Sequence, residues 1–138
     1  MKVREALADA AARLAATSGT ARLDAELLMA HALGISREAL LLGRLDGDAP
    51  AGFAALVDRR LKHEPIGYIS GRKPFWTIEL EVGPGTLIPR PDSETLIEAA
   101  VERFGSAGPG TVLDLGTGPG TLLLAALDQW SEIGRAHV

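Results

Sequence analysis

The sequence predicts two architectures in series: an all-α bundle over residues 1–64, then a β-hairpin connector over 65–90 and the opening of an α/β domain over 91–131, with a short tail at 132–138. Three observations carry this expectation. Apolar residues recur at helical spacing in successive segments as far as Leu61. The pattern then changes from period 3.6 to period 2 between Phe75 and Val82. Finally, a short apolar run, Thr111-Val112-Leu113-Asp114-Leu115, leads into a glycine-rich turn and a new helical run, the order of a strand in a buried parallel sheet followed by its helix.

In the first helix, Lys2–Ala16, the residues Val3, Ala6, Leu7, Ala10 and Leu14 form one stripe, and Thr17-Ser18-Gly19 stops it. The second, Asp24–Leu33, is expected to turn Leu23, Leu27, Leu28 and Ala30 inward, with Gly34 at C′. Ser36 suits the N-cap of a short helix ending near Gly43. After Asp46-Gly47-Asp48-Ala49-Pro50, a fourth helix carries Phe53, Leu56, Val57 and Leu61 on its apolar stripe. Pro65 ends it, since the residue before a proline is pushed out of the helical region. The charges of these helices read as solvated faces, and His31 and His63 as structural residues.

Beyond the bundle, Phe75–Val82 and Thr86–Pro89 are expected to form a hairpin turning at Gly83-Pro84-Gly85. Pro91 fits the first position of a helix, with Asp92 and Glu94 near its positive end and Leu96, Ile97, Ala100, Val101 and Phe104 on its buried face. Gly105–Gly110 is a linker, Thr111–Leu115 a strand, and Thr121–Trp130 the last helix.

Composition excludes several classes. With 138 residues, 46% apolar and 23% charged, the chain is an ordinary globular protein, neither disordered nor fibrous. It has no cysteine, which removes a disulfide scaffold, a thiolate zinc site and a thiol nucleophile, and its three histidines show no ligand spacing, so no metal site is expected. A net charge of −4 is the wrong balance for a domain held by nucleic-acid phosphates, and none is expected as a partner. The charge is uneven: residues 1–63 hold 9 basic and 8 acidic groups, residues 64–138 hold 5 and 10. No apolar run approaches the roughly 18 residues of a membrane span and the amino terminus is no signal peptide, so a cytoplasmic location is expected.

The segment that carries chemistry is Leu113-Asp114-Leu115-Gly116-Thr117-Gly118-Pro119-Gly120. Glycines let backbone approach a ligand closely, and the amino terminus of the following helix offers unpaired N–H groups to an anion. The dinucleotide fingerprint fails, because Thr121 stands where its third glycine belongs. The segment resembles instead motif I of the class I S-adenosylmethionine (SAM) methyltransferases, acid-x-G-x-G-x-G. Upstream lie Glu64-Pro65-Ile66-Gly67-Tyr68-Ile69-Ser70-Gly71, Phe75-Trp76 and Leu87-Ile88-Pro89-Arg90-Pro91-Asp92-Ser93-Glu94. These blocks, in order before Asp114–Gly120, resemble the protein-(glutamine-N5) methyltransferases that modify peptide-chain release factors, the PrmC or HemK family.

The resemblance implies a helical substrate-recognition bundle ahead of a Rossmann-like catalytic domain, with SAM as cofactor and the glutamine of the release-factor Gly-Gly-Gln motif as substrate. It also implies a monomer when intact. It carries over Asp114, Gly116, Thr117, Gly118, Pro119 and Gly120 as cofactor-binding residues, and no catalytic residue. Asp114 would face the cofactor's ammonium; a carboxylate ending a buried strand needs such a reason. The family more often has a small polar residue where Pro119 stands, and Pro119 takes one N–H from the cradle. Arg90 is balanced between a cofactor carboxylate and a surface pairing with Asp92 or Glu94, while Phe75 and Trp76 read as core before ligand stacking. The family's Asn-Pro-Pro-Tyr segment, which grips the substrate amide, does not occur in the 138 residues, so this chain alone is expected to be inactive. The tail Glu132–Val138 can be encoded by GAG ATC GGA AGA GCA CAC GTC, which matches a sequencing-library adapter, and is expected to be foreign to a coding sequence cut short here; the rival is a natural short protein. Two functional alternatives remain: a ribosomal-protein glutamine methyltransferase, and a non-enzymatic helical module that docks on a protein.

Overall fold

The computed structural model describes residues 1–131 and the backbone of 135–137; of the predicted tail, 132–134 and 138 lie outside the described residues. The chain divides into two compact units, Met1–Ser70 and Gly71–Val138.

The first unit is helical: α1 Val3–Leu14, α2 Ala21–Leu33, α3 Arg37–Gly43, α4 Phe53–Leu61 and α5 Ile66–Ser70. The predicted stripe of α1 is buried residue for residue, and it meets Ala25, Leu28, Met29 and Ala30 of α2, Leu40 of α3, Phe53 and Val57 of α4 and Ile69 of α5 in one core. Gly34 closes α2 in the left-handed conformation, φ 66°, and Ser36 caps α3 by accepting the Ala39 N–H at 3.1 Å. The start of α1 is closed from a distance. The carbonyls of Gly47 and Leu45 accept the N–H groups of Val3 and Arg4 at 2.9 and 3.0 Å, while Lys2 pairs with Asp48 and Arg4 with Asp46 on the surface. A breaker-rich loop forty residues downstream thus supplies acceptors that the helix lacks at its own terminus.

Two expectations for the bundle are corrected. Leu23 is exposed, and α2 instead buries Asp24 and Glu26, so these charges are not a solvated face. Asp24 accepts from Ser18 Oγ, Thr20 Oγ1 and Arg60 Nε at 2.7, 3.0 and 2.9 Å. Glu26 accepts from Arg22 Nε and Arg37 Nε at 2.8 and 2.7 Å. Complete pairing is what makes buried carboxylates tolerable. The segment after Pro65, placed in the connector, forms α5, and Ile69 packs in the bundle core. Pro65 ends one helix and opens the next, its carbonyl accepting from Tyr68 and Ile69 at 3.0 and 3.1 Å.

In the second unit, β1 Arg72–Phe75 pairs antiparallel with β2 Ile78–Glu81, in a register that sets Arg72 opposite Glu81 and Phe75 opposite Ile78. The predicted hairpin was displaced: the turn is Trp76-Thr77, and Thr86–Pro89 forms no strand. Because the chain reverses there, Phe75 shares a face with Ile78 and Leu80, and this face packs on Ile97 and Ala125. A single 3-10 turn, Pro91–Ser93, leads into α6 Glu94–Phe104. Of its predicted buried face Ile97 is buried and Ala100 and Val101 partly so, but Leu96 and Phe104 are exposed. β3 spans Thr111–Leu113 and α7 Thr121–Gln129. β3 pairs in parallel with β4 Arg135–His137, and β3, α7 and β4 form a βαβ unit. Trp130 anchors the approach to β3: it is buried, donates Nε1–H to the Gly105 carbonyl at 2.9 Å and lies against Gly108.

Candidate functional site

The predicted site residues fall together in the crossing from β3 to α7. A three-residue strand ending at Leu113 cannot run directly into a helix that packs back on it, so the chain must turn sharply, and three of the next seven residues are glycine. Gly116, Gly118 and Gly120 all take left-handed φ, at 69°, 56° and 88°. Side chains rarely adopt this conformation, which explains the spacing without any crowding, since a Cβ at Gly116 or Gly118 would meet nothing within 4 Å. The turn closes with Gly120 N–H on the Thr117 carbonyl at 3.0 Å, and α7 begins with Leu124 N–H on the Gly120 carbonyl at 2.8 Å.

Three features of this turn offer polar groups to its surroundings. The Asp114 carboxylate has no hydrogen bond or ion pair among the described residues. Thr117 Oγ1 is buried with no hydrogen-bond partner among the described residues. The first turn of α7 directs its unpaired N–H groups and the positive end of its dipole toward the loop. An acceptor, a hydroxyl and a set of backbone donors suit a ligand that carries an ammonium and a carboxylate together. Pro119 is exposed and contributes no N–H. One premise of the sequence argument changes: Asp114 is half-exposed, not buried, so its case rests on its missing partner and its position.

Asp114 also borders a groove of about 360 Å³ between α6 and β3, lined by Thr111 and mostly by apolar residues, Leu96, Ile97, Phe104, Val112, Leu113 and Trp130 among them. The sequence missed Leu96 and Phe104 as groove residues, because helical periodicity marks an apolar face without saying whether anything covers it. A second depression of about 430 Å³, between β2 and the carboxyl half of α7, contains none of the predicted site residues.

The remaining candidates separate. Phe75 is core, 1% exposed, and Trp76 donates Nε1–H to Gln129 Oε1 at 2.9 Å. Arg90 is exposed beside Asp92 at 3.8 Å, while Glu94 accepts the Trp76 backbone N–H at 2.6 Å. His31 and His63 are exposed on the helical unit. Among the described residues no cluster of His, Asp or Glu could hold a metal ion, and no helix is long and apolar enough to cross a membrane.

A helical unit followed by a strand, a turn of left-handed glycines, a helix and a parallel strand defines an all-α domain joined to the start of an α/β domain. Residues 5–71 match the PrmC N-terminal domain, nearly the extent of the first compact unit. The chain is 43% identical over 143 aligned positions to the release factor glutamine methyltransferase of Haemophilus influenzae, covering 96% of this chain and 49% of that protein. It is 43% identical over 117 positions to the one from Xylella fastidiosa, covering 80% and 42%, and 40% identical over 128 to the one from Coxiella burnetii, covering 91% and 46%. The chain belongs to this family of protein-glutamine methyltransferases. It spans about half the length of the curated relatives it matches.

Proposed function

We propose that this chain supplies the substrate-recognition bundle and the cofactor loop of a SAM-dependent enzyme that methylates the glutamine of the Gly-Gly-Gln motif in peptide-chain release factors. The observation that carries the reading is the Asp114–Gly120 turn, with a carboxylate and a hydroxyl that have no partner among the described residues and with left-handed glycines, in a chain related along most of its length to release factor glutamine methyltransferases. SAM supplies a methyl group on a sulfonium. Asp114 accepts from its ammonium, and Thr117 with the first N–H groups of α7 takes its carboxylate. Glycines 116, 118 and 120 let the backbone make these approaches, and Pro119 leaves the cradle one donor short. Transfer itself requires the glutamine amide to be held in line with the sulfonium, a matter of positioning. The Asn-Pro-Pro-Tyr segment assigned to that task is not among the 138 residues, so these residues by themselves should not complete the transfer. A cytoplasmic enzyme that acts as a monomer fits this reading.

Titrating SAM into the isotope-labelled chain tests the cofactor part, with perturbation expected at Asp114 and at Gly116, Gly118 and Gly120. Unchanged signals there at saturating SAM would reject it. An unmethylated release factor passed over the immobilised chain should be retained without any SAM, and incubation with methyl-labelled SAM should leave its glutamine unlabelled. Label on that glutamine would show that the chain already holds a complete transfer site.

A further inference from the structure

We propose that the tip of the β1–β2 hairpin is a latch that sets the geometry of the glycine loop, making Trp76, Glu94 and Gln129 positioning residues for the cofactor site. The proposal rests on the reading of Asp114–Gly120 as that site and adds what holds it in shape.

The first observation is backbone strain where none is expected. A two-residue hairpin loop with positive φ at its first position favours glycine, yet Trp76 occupies it at φ 53°. A bulky residue persists in that region only when its surroundings over-determine it. They do so here from two helices at once. Glu94, the first residue of α6, accepts the Trp76 backbone N–H at 2.6 Å; Gln129, the last residue of α7, accepts the indole N–H at 2.9 Å; and Thr77 bonds the neighbouring Asp128. Beneath the tip, Phe75 and Leu80 pack with Ala125 in the middle of α7 and Ile97 of α6.

The second observation is what stands at the other end of α7. Its amino terminus is the Gly120 junction, and a nine-residue helix spans only about 13 Å as a rigid rod. The glycines between β3 and α7 allow the loop many conformations, so its shape is decided by where its two ends are held. β3 holds one end. The hairpin tip, clamping the far end of α7, holds the other.

The variant Gln129→Met removes the indole's acceptor at a helix end without emptying the core, and Trp76→Gly relieves the positive φ while keeping the N–H for Glu94. Amide spectra without ligand should show both variants folded, with the resonances of Gly116, Gly118 and Gly120 displaced from their positions in the unaltered chain. SAM affinity should fall about fivefold, the effect of one lost hydrogen bond. Glu94→Ala should act in the same sense and Glu94→Gln, which keeps the acceptor, should restore the original glycine resonances. Glycine resonances that stay in place while the Trp76 signals move would overturn the latch, because the bond would be broken without any message reaching the loop. Should the unaltered chain ignore SAM, the cofactor reading fails, and the ligand-free spectra still decide the coupling.

Discussion

Asp24 and Glu26 show how much one residue of the bundle can depend on partners far away in the chain. Asp24 is 4% exposed and draws hydrogen bonds from the loop before α2 and from Arg60 at the end of α4. Asp24→Ala leaves Arg60 half-buried without its counter-charge and should destabilise the helical unit by about 3 kcal/mol. Urea unfolding followed by far-UV circular dichroism measures this; a loss within experimental error would mean that the network contributes nothing net. Glu26 offers a test by pH. Burial pushes its carboxyl up, but hydrogen bonds from Arg22 and Arg37 and their charges outweigh burial and hold it below the ordinary value of 4.5. Its contribution is therefore complete above about that value and disappears as the pH falls through the lowered pKa of the folded state. Glu26→Gln should flatten this acid limb while lowering stability at neutral pH. An unchanged acid limb in the variant would assign the effect to other carboxylates.

Among the elements, the approach to β3 is the one most sensitive to a single methyl group. Gly108 has φ 73°, and a Cβ there would lie 2.8 Å from the Trp130 ring. Gly108→Ala combines a disfavoured backbone with a clash against a buried indole, and should cost the second unit roughly 2 kcal/mol. Both tryptophans, Trp76 and Trp130, lie in that unit, so their fluorescence reports its unfolding apart from the bundle. A lowered fluorescence midpoint with unchanged helical dichroism is the expected result; an equal shift in both would contradict a local clash. The hairpin illustrates the limit of local pattern. Alternation from Phe75 to Val82 is real in the sequence, but the chain reverses within it at Trp76-Thr77, against turn preference, because contacts from α6 and α7 outweigh the local cost.

At the scale of the whole chain, the two units differ in how completely each buries its own apolar surface. The bundle gathers thirteen buried apolar residues from all five helices into one core. Among the described residues, the second unit leaves Leu87, Leu96, Phe104, Leu113, Leu115, Leu124 and Leu127 exposed, against Met1, Leu23, Leu41 and Leu42 in the bundle. Exposed apolar surface of this kind weakens a fold and invites association. Met1–Ser70 expressed alone should therefore keep its helical dichroism and a cooperative melt. In the full chain, fluorescence should report a transition below that of the bundle. Hydrogen exchange should protect Leu7, Leu28 and Val57 longer than Val112, and equal protection would show that β3, paired with β4, is as well anchored as the bundle.

Helical periodicity determined the first four helices and the buried stripe of α1, because that stripe has its partners within the same seventy residues and a closed core obeys amphipathicity. The glycine turn was equally legible, since left-handed φ at Gly116, Gly118 and Gly120 is a demand that only their residue type meets without strain. Tertiary structure alone decided the rest. Asp24 is inside because Arg60 reaches it, and α5 exists because the core accepts Ile69. The hairpin turns at Trp76 because two helices hold it there, and β3 is paired because Arg135–His137 comes alongside it. In each case the deciding partner lies on another element, and neither propensity nor spacing within the segment carries information about it.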